Sequence, residues 1–506
     1  MSSSQLPEAL RCERMRSVDT MQIETSVHDP ISINNASATF RFERKGILDP
    51  GSAIVLGGTV SEEVTQENGN NAGVGAFYPI RTGIWALIKR ATLRIGTNAI
   101  AVCDDCGHYK TLMRQFKTVE ERTGKDLITK GCLDGMEGEN NGNNGYQCSN
   151  IEWSYDEDPG VTSDMRTGRV PPFLQPASDD DHTPLFSIKL SELFPFMFNT
   201  TLPLFLIHED VSVELIFQSQ KGSGPEASGH ITCIDHSGDQ SGNSMLYEVN
   251  QRDCKLLCNY LTYSDDRMQK LAAQVMSSEG LIYPYLDQIL TVASLPAGTG
   301  SVQANREIGL AGQTIHSIVC SETPTGAAND PADHANPARA SNLLSRYTSP
   351  APQIAPHTNW RVNDKLVYNR PISRMAQQAN QISKVYRTDP VMLASEYSYD
   401  PLTSKQTTGT AVKGEINSHA ISSATVQGIS CQVLEGQQHF TGLDLSVGGM
   451  GVQVGQKPVI QERELERLGQ DADKAPYESE PMTQRYWATV ERTMRLRGGT
   501  VQMTSA

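Results

Sequence analysis

The sequence is poor in aromatic residues, has fewer basic than acidic residues and lacks long apolar runs. Aromatic residues make up 6% of its 506 residues, and four of them are tryptophan, which weighs against a sugar-stacking surface. No apolar run is long enough to cross a bilayer as a helix. The formal net charge of -15 gives a surface that repels nucleic-acid phosphates, so we expect no specific nucleic-acid binding.

Motifs of common catalytic and cofactor sites are missing as well. The chain has no H-E-x-x-H or H-x-H metal motif, no G-x-x-x-x-G-K-[ST] phosphate loop and no G-x-S-x-G nucleophile turn. Residues 448–451 are rich in glycine but lack the lysine of a phosphate loop, and they indicate a turn. We therefore predict that the protein is not an enzyme and has neither catalytic residues nor a cofactor.

The cysteines follow no regular framework, and the N-terminus shows no signal peptide. We therefore expect folding in a reducing compartment, with most thiols free and buried. Cys103 and Cys106 form a CxxC pair near His108, but a zinc site usually needs a second such pair. Two ordinary thiols near a turn are the favoured interpretation, with a metal site as the alternative. Cys254 and Cys258 share one face of a predicted strand and are expected in the core.

Short alternating apolar runs between turn residues predict an all-β protein. In residues 211–217 the odd positions are Val, Val, Leu and Phe, while Ser212 and Glu214 face the other way. This alternation of apolar and polar residues has the period of two of a half-buried strand. Gly96 begins a predicted hairpin turn. Further strand signals occur at 38–43, 52–57, 84–96, 281–285, 287–292, 313–320, 364–368 and 484–496. Helix signals occur at 109–116 and 267–276.

The length of the chain exceeds what one hydrophobic core usually supports, so we expect two domains. Residues 202–217 are typical of the end of a β-sandwich, and a new strand signal begins at Cys254. The predicted organisation is an N-terminal arm over 1–25, a first sandwich over 26–222, a linker over 223–253 and a second sandwich over 254–506.

Two long polar segments, 131–184 and 321–356, predict surface loops. Loops of this length are uncommon in compact domains and are usually functional, so we expect them to make surface contacts. Acidic triplets lie within the first loop at 156–158 and 179–181. Charge runs usually lie on solvated loops, which is the prediction here, and a cation at a subunit contact is the alternative.

Four segments, in this order, resemble the double jelly-roll major capsid proteins of eukaryotic DNA viruses, which include virophage, polinton-like and nucleocytoplasmic large DNA viruses. Residues 90–96 form a strand that ends in Ile-Gly, and residues 202–217 hold a Leu-Pro-Leu motif before an alternating strand. Residues 259–268 form a Tyr-rich strand before an acidic-then-basic helix start, and residues 486–499 form a last strand before Gly-Gly. His208-Glu209-Asp210 and the long second loop depart from the algal-virus pattern. These departures favour a divergent, virophage-like or polinton-like branch.

The resemblance implies two consecutive eight-stranded antiparallel jelly rolls in one chain, with long surface loops and a few short helices. It also implies a homotrimer of near-hexagonal outline, a capsomer that tiles an icosahedral shell around double-stranded DNA. The implied partners are copies of the chain itself, a single-jelly-roll penton protein and minor or cement proteins. The expected location is the virion, after synthesis in the host cytoplasm.

The alternative is a two-domain β-sandwich protein that binds carbohydrate or acts on glycosides. Such a protein needs paired carboxylates in a cleft, or an aromatic platform. Hydrodynamic mass separates the two hypotheses, because the capsid hypothesis requires a trimer and a sugar-active protein can be a monomer.

Overall fold

The computed structural model describes twenty stretches of the chain. They are residues 22–62, 74–77, 82–114, 117–118, 121–132, 137–140, 145–148, 185–197, 201–218, 232–235, 245–249, 254–295, 300–303, 305–324, 354–372, 380–381, 383–385, 439–446, 448–467 and 482–505. Residues 1–21 of the predicted arm lie outside these stretches, as do most of the two predicted loops and both acidic triplets.

Strands dominate the described residues, as the sequence predicts. Those of the first half are β1 Gln22–His28, β2 Ser32–Ile33, β3 Ser37–Arg41, β4 Ile47–Leu48, β5 Ala53–Glu62, β6 Val74–Phe77, β7 Ile88–Ile95, β8 Asn98–Asp104, β9 Glu137–Asn140, β10 Gly145–Cys148, β11 Leu185–Lys189, β12 Val211–Phe217, β13 Thr232–Asp235, β14 Met245–Val249 and β15 Lys255–Thr262. Those of the second half are β16 Leu281–Leu295, β17 Gly300–Gln303, β18 Arg306–Ile308, β19 Thr314–Pro324, β20 Ile354–Val362, β21 Lys365–Leu366, β22 His439–Asp444, β23 Val452–Gln453, β24 Val459–Arg467, β25 Met482–Arg497 and β26 Thr500–Ser505.

The helices are short. The α-helices are α1 Cys106–Arg114, α2 Leu127–Lys130, α3 Leu190–Leu193 and α4 Asp265–Met276, beside a π-helical Glu121–Asp126 and 3-10 turns at Gly83–Leu87, Pro195–Met197 and Leu204–Leu206. Both helices predicted from sequence are confirmed, in α1 and α4. No helix in the described stretches combines the length and apolarity that crossing a membrane requires.

The first sandwich consists of two antiparallel sheets. A six-stranded sheet runs in the order β1-β15-β5-β11, with β4 and β14 also paired to it, and faces a five-stranded sheet of order β2-β3-β12-β7-β8. Along β12 buried and half-buried residues alternate strictly, which confirms the predicted strand and the face that it buries. Its buried side chains, such as Leu215, join a core that also holds Phe40 from β3 and Ile54 from β5.

The second sandwich repeats this plan. Its six-stranded sheet runs β16-β25-β19-β22 with β23 and β26 attached, and its five-stranded sheet runs β17-β24-β20-β21 with β18 attached. Ile318, Trp360 and Tyr486 are among the buried residues of its own core. The sheets are wider than the predicted four strands each because short flanking strands extend them.

In both sandwiches the first and last long strands are neighbours. β1 pairs with β15 over its whole length, and β16 pairs with β25 over its whole length. This return of the last strand beside the first belongs to Greek-key topology, of which the jelly roll is one form. The chain is therefore an all-β protein of two consecutive jelly rolls.

The pairing of β15 differs from the predicted domain boundary. We expected the second unit to start at residue 254, but β15 pairs with β1, β4 and β5 of the first sandwich. The division falls instead after residue 262, where α4 leads into β16. The arm is also shorter than predicted, since residues 22–25 belong to β1. A strand's periodicity reveals which face is buried but not which sheet it joins.

Two strand predictions also change in detail. Residues 84–87, predicted as the beginning of a strand, lie in the 3-10 turn Gly83–Leu87, and β7 begins at Ile88. A continuous apolar run fits a buried turn as well as a buried strand, so periodicity does not separate them. The two signals between 281 and 292 belong to a single long strand, β16. The predicted hairpin turn is confirmed between β7 and β8, with Gly96 in the left-handed region at φ +57°.

Candidate functional site

The CxxC pair lies where β8 turns into α1. Cys103 is in the strand, Cys106 is the first helical residue, and both side chains are buried. Their Sγ atoms are 2.9 Å apart. Nδ1 of His108 lies 2.7 Å from Oδ1 of Asp105, so the nearby histidine contacts a carboxylate. Across the described residues no group of three or more His, Cys, Asp or Glu side chains is placed to hold a metal ion.

Three further cysteines among the described residues fit the structural interpretation. Cys254 and Cys258 are buried in the core of the first sandwich, as their spacing predicted. Cys132 is buried too, and its thiol donates to the carbonyl oxygen of Thr82 at 3.3 Å. The glycine-rich residues 448–451 include a turn with Gly448 and Gly449 at positive φ, as expected.

A buried ionic cluster, which the sequence analysis missed, packs the segment after α1 against α3. The Asp126 carboxylate lies 2.8 Å from Nζ of Lys117 and 3.3 Å from Nζ of Lys130. Lys130 also lies 3.2 Å from Glu192. Burial opposes ionisation of Glu192, but the cations of Lys130, Lys117 and Lys125 outweigh it and lower its pKa. Buried charges need such partners, and this set fixes the segment rather than presenting free groups to a substrate.

The junction between the sandwiches is partly apolar. The core of the first sandwich continues into Tyr285, Trp487 and Met494 of the second. Hydrogen bonds also cross the junction. The Tyr285 hydroxyl donates to the carbonyl oxygen of Ile100 at 2.5 Å. The backbone N–H of His208 donates to the carbonyl oxygen of Gly499 at 2.9 Å.

An ion pair also crosses this junction. Arg485 of β25 donates from Nε to the Asp105 carboxylate, which His108 contacts from the other side. Burial opposes ionisation of Asp105, but His108 and Arg485 outweigh it and hold its pKa well below the usual range. These two residues are separated by 380 positions, and no local sequence signal links them.

The outermost strand of each six-stranded sheet carries exposed apolar side chains. On β1, Ile23 and Val27 are 61% and 60% exposed. On β16, Ile282 and Val292 are 57% and 56% exposed, and Leu286 between them is exposed too. We call these five side chains the edge-strand face. Exposed apolar residues on an edge strand, which is paired on one side only, often mark an interaction surface.

The sequence held a signal for this face. Residues 281–286 are almost continuously apolar, a pattern of strands covered on both sides, whereas one-sided strands alternate. In the chain itself β16 buries only one side: Tyr285 packs inward, while Ile282 and Leu286 point out. The outward side of β16 therefore has the apolar composition of a buried surface, but none of the described residues packs over it.

Comparisons with known proteins find likeness in structure alone. No family model matches the chain, and no curated protein matches its sequence. PBCV-1 VP54, as fitted into a reconstruction of the virophage Sputnik, aligns with a TM-score of 0.51 at 11% identity over 97% of this chain and 98% of that one. A chain of the Sputnik virophage aligns with a TM-score of 0.54 at 11% identity, over 96% and 88%. The mavirus major capsid protein aligns with a TM-score of 0.50 at 9% identity, over 95% and 90%.

These likenesses extend through both sandwiches. Because the sequence identity is so low, they establish the fold alone. The double jelly roll found in the sheet topology is the fold of these chains.

Proposed function

From the double jelly-roll fold of this chain, we propose that it is the major capsid protein of a DNA virus. Three copies form a pseudo-hexameric capsomer, and capsomers tile an icosahedral shell around a double-stranded genome. The role is mechanical and needs no catalytic residue or cofactor. Further partners are a single-jelly-roll penton protein and minor or cement proteins, and the chain is made in the host cytoplasm before it enters the virion.

The observation that carries this proposal is the extent of the structural likeness. The alignment with the mavirus major capsid protein includes both jelly rolls, with 95% of this chain and 90% of that one. A shared single sandwich would say little, because β-sandwiches host many unrelated functions. Two such units in the same order within one chain are far more restrictive.

The edge-strand face supports assembly into a multimer. It occurs on the first long strand of both sandwiches, so the two lobes of one subunit carry equivalent apolar strips. Burying such side chains stabilises an interface by roughly 25 cal/mol per Å² of apolar surface. An obligate trimer needs roughly 2,000 Å² or more of total interface, so the edge-strand face would be one part of it.

Light scattering on the purified protein tests the proposal. The chain has a mass of 55.4 kDa, and we expect a stable species of three times that mass. Hexagonal particles in electron micrographs are the second expected result. A monomer at every salt concentration would contradict the proposal and favour the carbohydrate-binding alternative.

A variant locates the contact. The double substitution Ile282→Glu and Val292→Glu places charges on the edge-strand face and is expected to shift the trimer to monomer. Met450→Glu is the matched control, because Met450 is exposed and precedes β23, which pairs with β19 and not with β16. Circular dichroism should show that both variants remain folded. A double variant that stays trimeric would exclude β16 from the subunit contact.

A further inference from the structure

Cys103 and Cys106 stand out among the buried thiols because their sulfur atoms touch. The thiol of Cys106 lies 2.9 Å from Sγ of Cys103 and 3.1 Å from its carbonyl oxygen. A disulfide has an S–S length of about 2.05 Å, so a shift of about 0.9 Å separates this contact from a covalent bond. The strand-to-helix turn around Asp105, with φ +51°, holds the pair in this arrangement.

The two sulfurs also differ in chemical character. The hydrogen bond from Cys106 lowers the pKa of Cys103, an effect that the charge of Lys110 assists and burial opposes. Burial raises the pKa of Cys106 well above its usual value. The thiolate is the reactive form of cysteine, so Cys103 is suited to attack and Cys106 to resolve. By contrast, burial raises the pKa of Cys254 and of Cys258 to about 12.

We propose that Cys103 and Cys106 form an oxidation site at which hydrogen peroxide generates an intramolecular disulfide. The Cys103 thiolate attacks one peroxide oxygen, the O–O bond breaks, and Cys103 becomes the sulfenic acid. The hydroxide that leaves takes up the proton that the Cys103 thiol lost and forms the first water. Cys106 then attacks that sulfur, its proton combines with the leaving hydroxide, and water departs. In total two thiols and one peroxide give one disulfide and two waters. A small oxidant is required because both sulfurs are buried.

The disulfide would close around a residue that holds the two sandwiches together. Asp105 lies between the two cysteines and contacts Arg485 of the second sandwich. A covalent bond between its neighbours restricts the turn that presents this carboxylate. Oxidation would therefore stiffen the junction without adding any contact, and it does not depend on the proposed capsid role.

The test is peroxide treatment of the reduced, folded, full-length protein, followed by alkylation and mass spectrometry. Trypsin cleavage after Arg94 and Lys110 releases residues 95–110, which carry both cysteines on one peptide. We expect this peptide to lose two hydrogens, to escape alkylation and to regain two alkylation sites after reduction. The buried thiols of Cys254 and Cys258 are internal controls, expected to oxidise at least about tenfold more slowly.

Two variants separate the steps. In Cys106→Ser the resolving thiol is absent, so Cys103 should stop at the sulfenic acid and be trapped by a 1,3-diketone probe. Cys132→Ser removes another buried thiol and should leave disulfide formation unchanged. If Cys106→Ser fails to fold, the wild-type peptide alone decides the matter. Two alkylated cysteines on 95–110 after treatment, or oxidation at the same rate as Cys254, would overturn the proposal.

Discussion

Asp287 offers a sharp test of the electrostatics at the junction. Its side chain, in β16, is 1% exposed, and Nη1 of Arg492 lies 3.0 Å from its Oδ2. Burial raises the pKa of Asp287 to about 6, although Arg492 and the backbone amides of Gln288 and Val102 act in the opposite direction. Within the described residues neither carboxylate oxygen has a well-directed hydrogen bond, which explains why burial prevails.

The magnitude follows from the difference between folded and unfolded states. An unfolded aspartate has a pKa of about 3.9, so the shift is about 2 units, or about 3 kcal/mol at 1.36 kcal/mol per unit. Between pH 4 and pH 6 the unfolded chain loses this proton while the folded chain keeps it. Ionisation therefore favours the unfolded state, and this group's contribution to stability falls as pH rises through that window. Above pH 6 both states are ionised, and the penalty stays constant.

The assay compares wild type with Asp287→Asn by denaturant unfolding from pH 4 to pH 8. Tryptophan fluorescence reports the transition, because Trp85 and Trp487 both lie in the core that reaches the junction. The stability of wild type relative to the variant should fall by about 2 kcal/mol between pH 4 and pH 7, because part of the shift is already expressed at pH 4. Asp266→Asn, at an exposed position of α4, is the control and should show little such dependence. A difference that is flat with pH, or rises with it, would refute this account of Asp287.

Three further predictions concern packing and the junction. Leu215→Ala removes a fully buried side chain and should lower the free energy of unfolding by about 2–5 kcal/mol. Ser212→Ala, on the other face of β12, should change this free energy by no more than about 0.5 kcal/mol, and chemical denaturation measures both variants. Gly499→Ala adds a Cβ that would overlap a histidine ring of the first sandwich. Its melting temperature should therefore fall further than that of Gly312→Ala, because Gly312 has a similar positive φ but open space around it. Equal losses of melting temperature in the two variants would contradict the steric argument. Arg485→Gln removes a mostly buried charged partner and should cost about 2–3 kcal/mol, measured as loss of stability at pH 7; no loss would show that the cross-junction ion pair is not stabilising.

Local patterning predicted the elements well where one face of a strand is buried. The alternation in β12 identified both the strand and its buried face, and the spacing of Cys254 and Cys258 correctly placed both in a core. These successes have one cause, because side chains alternate with period two and only one side meets the core. The same logic did not separate the Gly83–Leu87 turn from a strand, since every residue there is buried.

The candidate site was predicted less completely. The CxxC pair was recognised from its spacing, but the contact between its sulfurs and its place beside the junction were not. Asp105 and Arg485 meet only because the two sandwiches pack together at the junction. A charge pair so distant in sequence carries no local periodicity that could reveal it. The buried ionic cluster around Asp126 has the same origin.

By itself, the sequence determined that this is an all-β chain with two cores, which residues of β12 face inward, and that Gly96 makes a hairpin turn. These properties depend on neighbours within a few positions, so short-range sterics and hydrophobic patterning suffice. The tertiary structure alone decided that β15 closes the first jelly roll instead of opening the second, that the two sandwiches share part of one core, and that the outer side of β16 stays uncovered. Each of these depends on which strand lies beside which, and backbone hydrogen bonds between strands are the same for every sequence.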